Sequence, residues 1–172
     1  MKDALLIIDV QNDYFPGGAS ELHRAAEAEA VIQKLLRDSR AAGRPVIYLQ
    51  HFNAPEDSFF RPGTPGAEIS PRIRPEPGEP VVVKYAPNGF LNTGLDEMLK
   101  ALGVEKLIVC GMMTHMCVDA TVRAAADRGY AVDLVADACA TKDLEWNGER
   151  LCAEQVHKVF LASLNGVFAK VI

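Results

Sequence analysis

The chain has 172 residues, 49% of them hydrophobic and 24% charged, with a formal net charge of −5. That composition fits one globular domain spanning residues 1–172, long enough for a real core. The acidic balance, without a basic run, excludes nucleic acid or an anionic membrane surface as the main partner.

No apolar run approaches the roughly 18 residues that span a bilayer. Met1-Lys2-Asp3 before Ala4–Ile8 is too short for a secretory signal and carries an acid in the wrong place. A cytoplasmic location is expected. Only 7% of residues are aromatic, so the core must rest on Ala, Val, Leu and Ile.

Ala4–Ile8 reads as a buried strand that ends at an acid, Asp9. Ser20 to Ala42 reads as a helix, with Leu22, Ala25, Ala26, Ala30, Val31, Leu35 and Leu36 near helical spacing. Ser20 and Glu21 suit its first turn and Gly43 its end. Pro45 opens a second strand, Val46–Gln50. From Ala54 to Pro80 the density of Pro and Gly forbids a regular element. Phe59 and Phe60 give this long loop apolar anchors, so it is expected to be ordered.

Val81–Lys84 reads as a third strand, Thr93–Leu102 as a short helix and Lys106–Cys110 as a fourth strand. Thr114–Arg128 reads as a helix closed by Gly129. Ala131–Val135 is a fifth strand, Asn147–Leu164 the last long helix and Val167–Val171 a sixth strand. Short apolar strands alternating with helices predict an α/β fold with a parallel sheet covered on both faces. In such sheets ligands bind beyond the carboxyl ends of the strands.

That rule selects three residues: Asp9 after the first strand, Lys84 at the end of the third, and Cys117 just beyond the fourth. Thr114 is a candidate N-cap, which would put Cys117 in the first helical turn. The positive end of the helix dipole there favours the thiolate. Backbone N–H groups of that turn lack helical partners and can hold an oxyanion. Asp9 can take the thiol proton, and Lys84 can orient the acid. Taken singly, each residue also fits a plain role: a strand-end cap, a solvated lysine, a packed thiol.

Cys110, Cys117, Cys139 and Cys152 show no metal-like spacing and are expected to be free thiols. Cys110, Cys139 and Cys152 read as core. His23 and His157 read as helix-surface residues, and Trp146 as a possible interface residue.

Three blocks of the sequence resemble the isochorismatase-like cysteine hydrolases. The first is Leu5-Leu6-Ile7-Ile8-Asp9-Val10-Gln11-Asn12-Asp13-Tyr14-Phe15. The second is Val83-Lys84-Tyr85 with Asn88-Gly89-Phe90 and Thr93-Gly94-Leu95. The third, and most specific, runs from Val109-Cys110-Gly111 through Met112-Met113-Thr114-His115-Met116-Cys117-Val118 to Gly129.

The resemblance implies a three-layer, Rossmann-like α/β fold, with six parallel strands in the order 3-2-1-4-5-6, in a homo-oligomer (dimer or tetramer). It implies a catalytic Asp9–Lys84–Cys117 triad and a cis peptide from Met112 to Met113. It also implies an oxyanion hole from the N–H groups of Met113 and Cys117. Asn12, Phe15, Asn88, Phe90, Met112 and Met113 lie in the matched blocks and are expected to shape the pocket. His51, at the end of the second strand, and His115, at the helix start, are candidate substrate contacts. The metal-binding Asp-x-His pair of nicotinamidases is broken, because Leu49 stands where the acid would be. No metal or organic cofactor is expected.

The expected reaction is hydrolysis of a C–N bond (amide, ureide, carbamoyl or lactam) in a small molecule through a thioester. The alternatives are vinyl-ether hydrolysis without a covalent intermediate, a non-catalytic binding role, and a redox-sensing thiol. In Lys84 there is a tension. On a strand two places from the first, roughly 10 Å away at about 4.8 Å per strand, it needs its full length to meet Asp9.

Overall fold

Successive side chains of a strand point to opposite faces, so a run apolar at every position must be covered twice. β1 (Asp3–Ile8) is such a run. Ala4, Leu6 and Ile8 pack into one buried cluster, and Leu5 and Ile7 into another. The computed structural model describes residues 1–172. After β1 come α1 (Ala25–Ala41), β2 (Val46–His51), β3 (Val81–Lys84), α2 (Leu95–Ala101) and β4 (Lys106–Met112). They are followed by α3 (Asp119–Asp127), β5 (Ala131–Ala140), β6 (Leu144–Trp146), β7 (Glu149–Leu151), α4 (Ala153–Leu164) and β8 (Lys170–Val171).

Six strands form one parallel sheet in the order β3-β2-β1-β4-β5-β8. This is the expected order, with the last short strand in sixth place. One face carries Leu95 and Leu99 of α2, Val122 and Ala125 of α3, and Leu164 of α4. The other carries Ala28, Ile32 and Leu36 of α1 together with Phe60 and Ile73 from the long loop.

The strand order reverses between β1 and β4, which pair directly from Asp3↔Lys106 to Ile8↔Gly111. A crevice opens beyond the carboxyl ends at such a switch point. Gly111 makes the close pairing possible: its φ is 129° and a Cβ there would lie 2.1 Å from the carbonyl oxygen of Ile8. Only glycine fits.

The elements depart from the sequence reading in several places; the sixth strand, read as Val167–Val171, is only Lys170–Val171. α1 begins at Ala25 rather than Ser20, because the preceding N–H groups bond elsewhere: Ser20 to Asp13, Leu22 to Tyr14, His23 to Thr141. β3 is an edge strand with Val81 and Val83 exposed and only Val82 and Lys84 buried. The segment 114–118 is a π-helical turn, so α3 starts only at Asp119. β5 runs on to Ala140, past a register shift opposite Val109–Gly111, which brings its end level with Met112. The start of the expected last helix is instead the antiparallel hairpin β6–β7, turning at Asn147-Gly148 with positive φ at both residues. This is the turn chemistry such hairpins favour.

The long loop is tied to the rest of the fold, in line with the expectation from its anchors Phe59 and Phe60. Ser70 donates its N–H to Val10, Asn12 to Glu68, and Asn53 to Phe60. No helix of the chain is long and apolar enough to cross a membrane.

Candidate active site

Four chain segments meet beyond the carboxyl ends of β1, β2, β3 and β4. Asp9 leaves β1 with φ 51°, in the left-handed region that Asp tolerates better than most residues. Its N–H is held by the carbonyl of Leu49 at 3.1 Å. Lys84 closes β3 opposite His51 in the register. Its side chain runs beneath the sheet edge to put Nζ 2.7 Å from Asp9 Oδ2, with both side chains fully buried. The lysine side chain thus meets Asp9 past the intervening β2.

Lys84 Nζ also donates to His51 Nδ1 (2.7 Å) and to the carbonyl of Ala86 (3.0 Å). An ammonium has only protons to give, so His51 Nδ1 accepts and its proton sits on Nε2. That nitrogen donates to Asn53 Oδ1 at 2.8 Å. Burial, then the Lys84 charge, holds the His51 imidazole below its usual range, so it stays neutral. Gln11, buried, ties the segment after β1 to β2: its amide donates to the carbonyls of His51 and Ala67 and accepts the N–H of His51.

Neither oxygen of Asp9 accepts an aligned hydrogen bond. Lys84 is its counter-charge, close to Oδ2 but off the hydrogen-bonding direction. Beside this carboxylate lies Cys117, buried in the π turn with 5% exposure. Acceptor atoms of Asp9, His51 and Cys117 lie within 4.8 Å of one another.

Burial and the Asp9 charge push the Cys117 thiol well up, against a smaller opposing pull from Lys84. This corrects the expectation of a thiolate poised by a helix dipole: the resting group is a thiol. An O, N and S donor set this tight could hold an ion. Here Lys84 already places an internal cation against both Asp9 and His51, so a metal ion would meet a buried like charge.

The peptide between Met112 and Met113 is cis, and the Met113 N–H donates to no backbone carbonyl. Met113 precedes the turn; its carbonyl accepts from Met116 (3.0 Å) and Val118 (3.2 Å). Thr114 does not cap the helix with its side chain. It bonds the carbonyl of Ala140 and His157 instead.

An aromatic wall stands beside His51. Phe60, Tyr14 and Phe59 pack against one another, and the Phe60 ring centroid is 6.2 Å from that of His51. Asp13 holds this wall by accepting the N–H of Phe60 at 2.7 Å and that of Ala19 at 3.1 Å.

Of the other expected pocket residues, Phe15 packs at the margin of the cluster containing Tyr14. Asn12 donates to the carbonyl of Pro65, and Asn88 accepts the N–H of Phe90. The ring of Phe90 is buried with Leu49 and Val82 and stacks on Tyr130, and the side chain of Met112 is fully buried in the α1-side core. His115 bonds the Thr141 hydroxyl and meets the edge of Phe160. Cys110 and Cys139 are core thiols, but Cys152 is half-buried at the start of α4.

Sequence reasoning missed Gln11, Asp13 and Asn53 as the ties that hold the site. It also read His157, which contacts Thr114, as plain surface.

His51, His115 and His157 are all held below the usual imidazole range, in each case chiefly by burial. The unfolded chain then binds more protons than the folded one just below pH 6.5. Stability is expected to be full above about pH 6.5 and to fall as pH is lowered beneath it. Thermal unfolding at pH 7.5, 6.5 and 5.5 checks this: Tm should drop over the lower interval, and a flat or rising Tm would show these histidines charged in the fold.

A doubly wound α/β domain with a buried acid, lysine and thiol at its switch point carries groups that a hydrolase can use. Comparison makes this specific. The chain belongs to the isochorismatase family, whose isochorismatase-domain model matches residues 3–172. It is 48% identical over 172 residues to the uncharacterized isochorismatase family protein YddQ of Bacillus subtilis, covering 99% of this chain and 96% of that one. An isochorismatase structure from Pseudomonas putida superposes with TM-score 0.93 at 41% identity, covering 98% of this chain and 86% of that one. The structure of N-carbamoylsarcosine amidase from Thermoplasma acidophilum matches with TM-score 0.83 at 28% identity, covering 99% and 95%.

Proposed function

We propose that the protein is a cysteine hydrolase that cleaves an amide-type C–N bond of a small molecule through a thioester on Cys117. The observation that carries this reading is the buried Asp9 carboxylate, without an aligned hydrogen-bond donor, beside a buried neutral thiol. Asp9 takes the thiol proton as Sγ attacks the carbonyl carbon. The oxyanion rests on the N–H groups of Met113 and Cys117. The C–N bond breaks, and the leaving nitrogen takes the proton from Asp9. Asp9 then draws a proton from water, which attacks the thioester and releases the acid with the Cys117 thiol restored. Lys84 keeps Asp9 aimed, and His51 with the Ala86 carbonyl keeps Lys84 in place. The similarity to an amidase supports a C–N bond over a vinyl ether.

The test is hydrolysis across a panel of small amides, ureides, carbamoyl compounds and lactams, with wild type and Cys117→Ala side by side. Turnover confined to wild type, with an acyl adduct on Cys117 seen by mass spectrometry, is expected. Turnover that survives in Cys117→Ala would overturn the thiol mechanism.

A further inference from the structure

The turn that carries Cys117 is held from outside by a side chain that the mechanism above does not use. Thr114 opens the turn, and its hydroxyl lies 3.2 Å from the carbonyl oxygen of Ala140 and 2.9 Å from His157 Nδ1. A hydroxyl has one proton to give, and a carbonyl can only accept. The Thr114 proton therefore goes to Ala140, and Thr114 Oγ1 accepts from His157. The imidazole must carry its proton on Nδ1. Thr114 is fully buried, so each of these bonds is costly to lose.

His157 stands on α4 and Ala140 ends β5, so this relay ties three elements together at the base of the turn. The turn's next residue is fixed from the same strand end, where His115 bonds the Thr141 hydroxyl. His157 also borders a cavity of about 210 Å³ between the start of α1, the end of β5 and the start of α4. Its one side-chain hydrogen bond is the one to Thr114.

We infer that His157 is a positioning residue: through Thr114 it fixes the turn that sets Cys117 Sγ against Asp9 and aims the Met113 and Cys117 N–H groups. This rests on the cysteine-hydrolase reading for its catalytic consequence, but not for its structural one. A misplacement of about 1 Å at reacting atoms can cost on the order of 100-fold in rate, so a slack turn is read directly in kcat.

His157→Leu and Thr114→Val each remove one side of the contact, and His157→Asn keeps an N–H donor where Nδ1 stands. Two readouts are taken on the intact protein: hydrogen exchange of the amides of residues 113–118, followed by mass spectrometry, and kcat and KM on the panel substrate. His157→Leu and Thr114→Val are expected to speed exchange in 113–118 and lower kcat about tenfold or more, with KM within about twofold. The double variant should be no worse than either single one. His157→Asn should restore both exchange and kcat.

Unchanged exchange in His157→Leu would overturn the inference. So would faster exchange with unchanged kcat, or failure of His157→Asn to rescue. Failure of the cysteine-hydrolase reading shows separately, as turnover retained in Cys117→Ala.

Discussion

Asp9→Asn is expected to lower kcat by about 10²- to 10⁴-fold while making the Cys117 thiol easier to ionise. The two effects point in opposite directions, and that opposition makes the variant informative. In the native site the thiol is pushed up by burial and then by the Asp9 charge, and pulled down by Lys84. Replacing the carboxylate with an amide removes the second of these, so that burial alone opposes the third. Thiolate ultraviolet absorbance should therefore appear at lower pH in Asp9→Asn than in wild type. If a standing thiolate were all that the reaction needs, the variant would be faster. If Asp9 must receive the thiol proton, hand it to the leaving nitrogen and later activate water, the variant fails at each of those steps. Collapse of turnover beside an easier ionisation assigns the proton-transfer role to Asp9. Turnover that holds or rises would remove Asp9 as the base.

The parts of this site that the sequence exposes are those governed by the strand-end rule. Asp9, Lys84 and Cys117 each follow an apolar run, and a parallel sheet lines up such positions on one edge without further information. The strand order 3-2-1-4-5 then places β1 and β4 side by side at the switch point, so Asp9 and the Cys117 turn face one crevice. Where the contact depends on side-chain length and rotamer, spacing is silent. That Lys84 reaches Asp9 across β2 is visible only in three dimensions.

His157 shows the same limit more sharply. On a helix of moderate amphipathicity its position reads as surface, yet it meets Thr114 across 43 positions of chain. Nothing local encodes that. Tertiary bonds also overrule the helical periodicity before Ala25, where the N–H groups of Ser20, Leu22 and His23 are taken by Asp13, Tyr14 and Thr141. The hairpin β6–β7 is different, because its signal is present in Asn147-Gly148. The apolar spacing that follows from Ala153 extends backwards over it and hides it. The sign of the Cys117 shift is hidden from the sequence for a physical reason. A helix-end dipole acts within one turn, whereas removal from water acts wherever the thiol is buried and here is the larger effect.

Lys84→Met should be the most destabilising single change at the site, by about 3–5 kcal/mol. Methionine fills nearly the same volume, so packing is conserved and the loss is electrostatic. It leaves the Asp9 carboxylate fully buried with no counter-charge and no aligned donor. His51 Nδ1, which accepts from Lys84 in the native site, loses its donor as well. The carboxylate can relieve the penalty by taking up a proton, so the deficit against wild type should shrink on acidification from pH 7.5 to 5.5. That runs against the acid destabilisation expected of the native protein. Removing the stranded charge should have the same effect at any pH: Asp9→Asn/Lys84→Met should recover much of the loss, giving a strongly non-additive cycle. Chemical denaturation of the four proteins at two pH values measures this. An additive cycle, with a pH-independent deficit in Lys84→Met, would mean that Asp9 and Lys84 do not form a charge pair in the folded protein. Lys84 could then have no part in holding the base, because the role given to it depends wholly on its charge standing against Asp9.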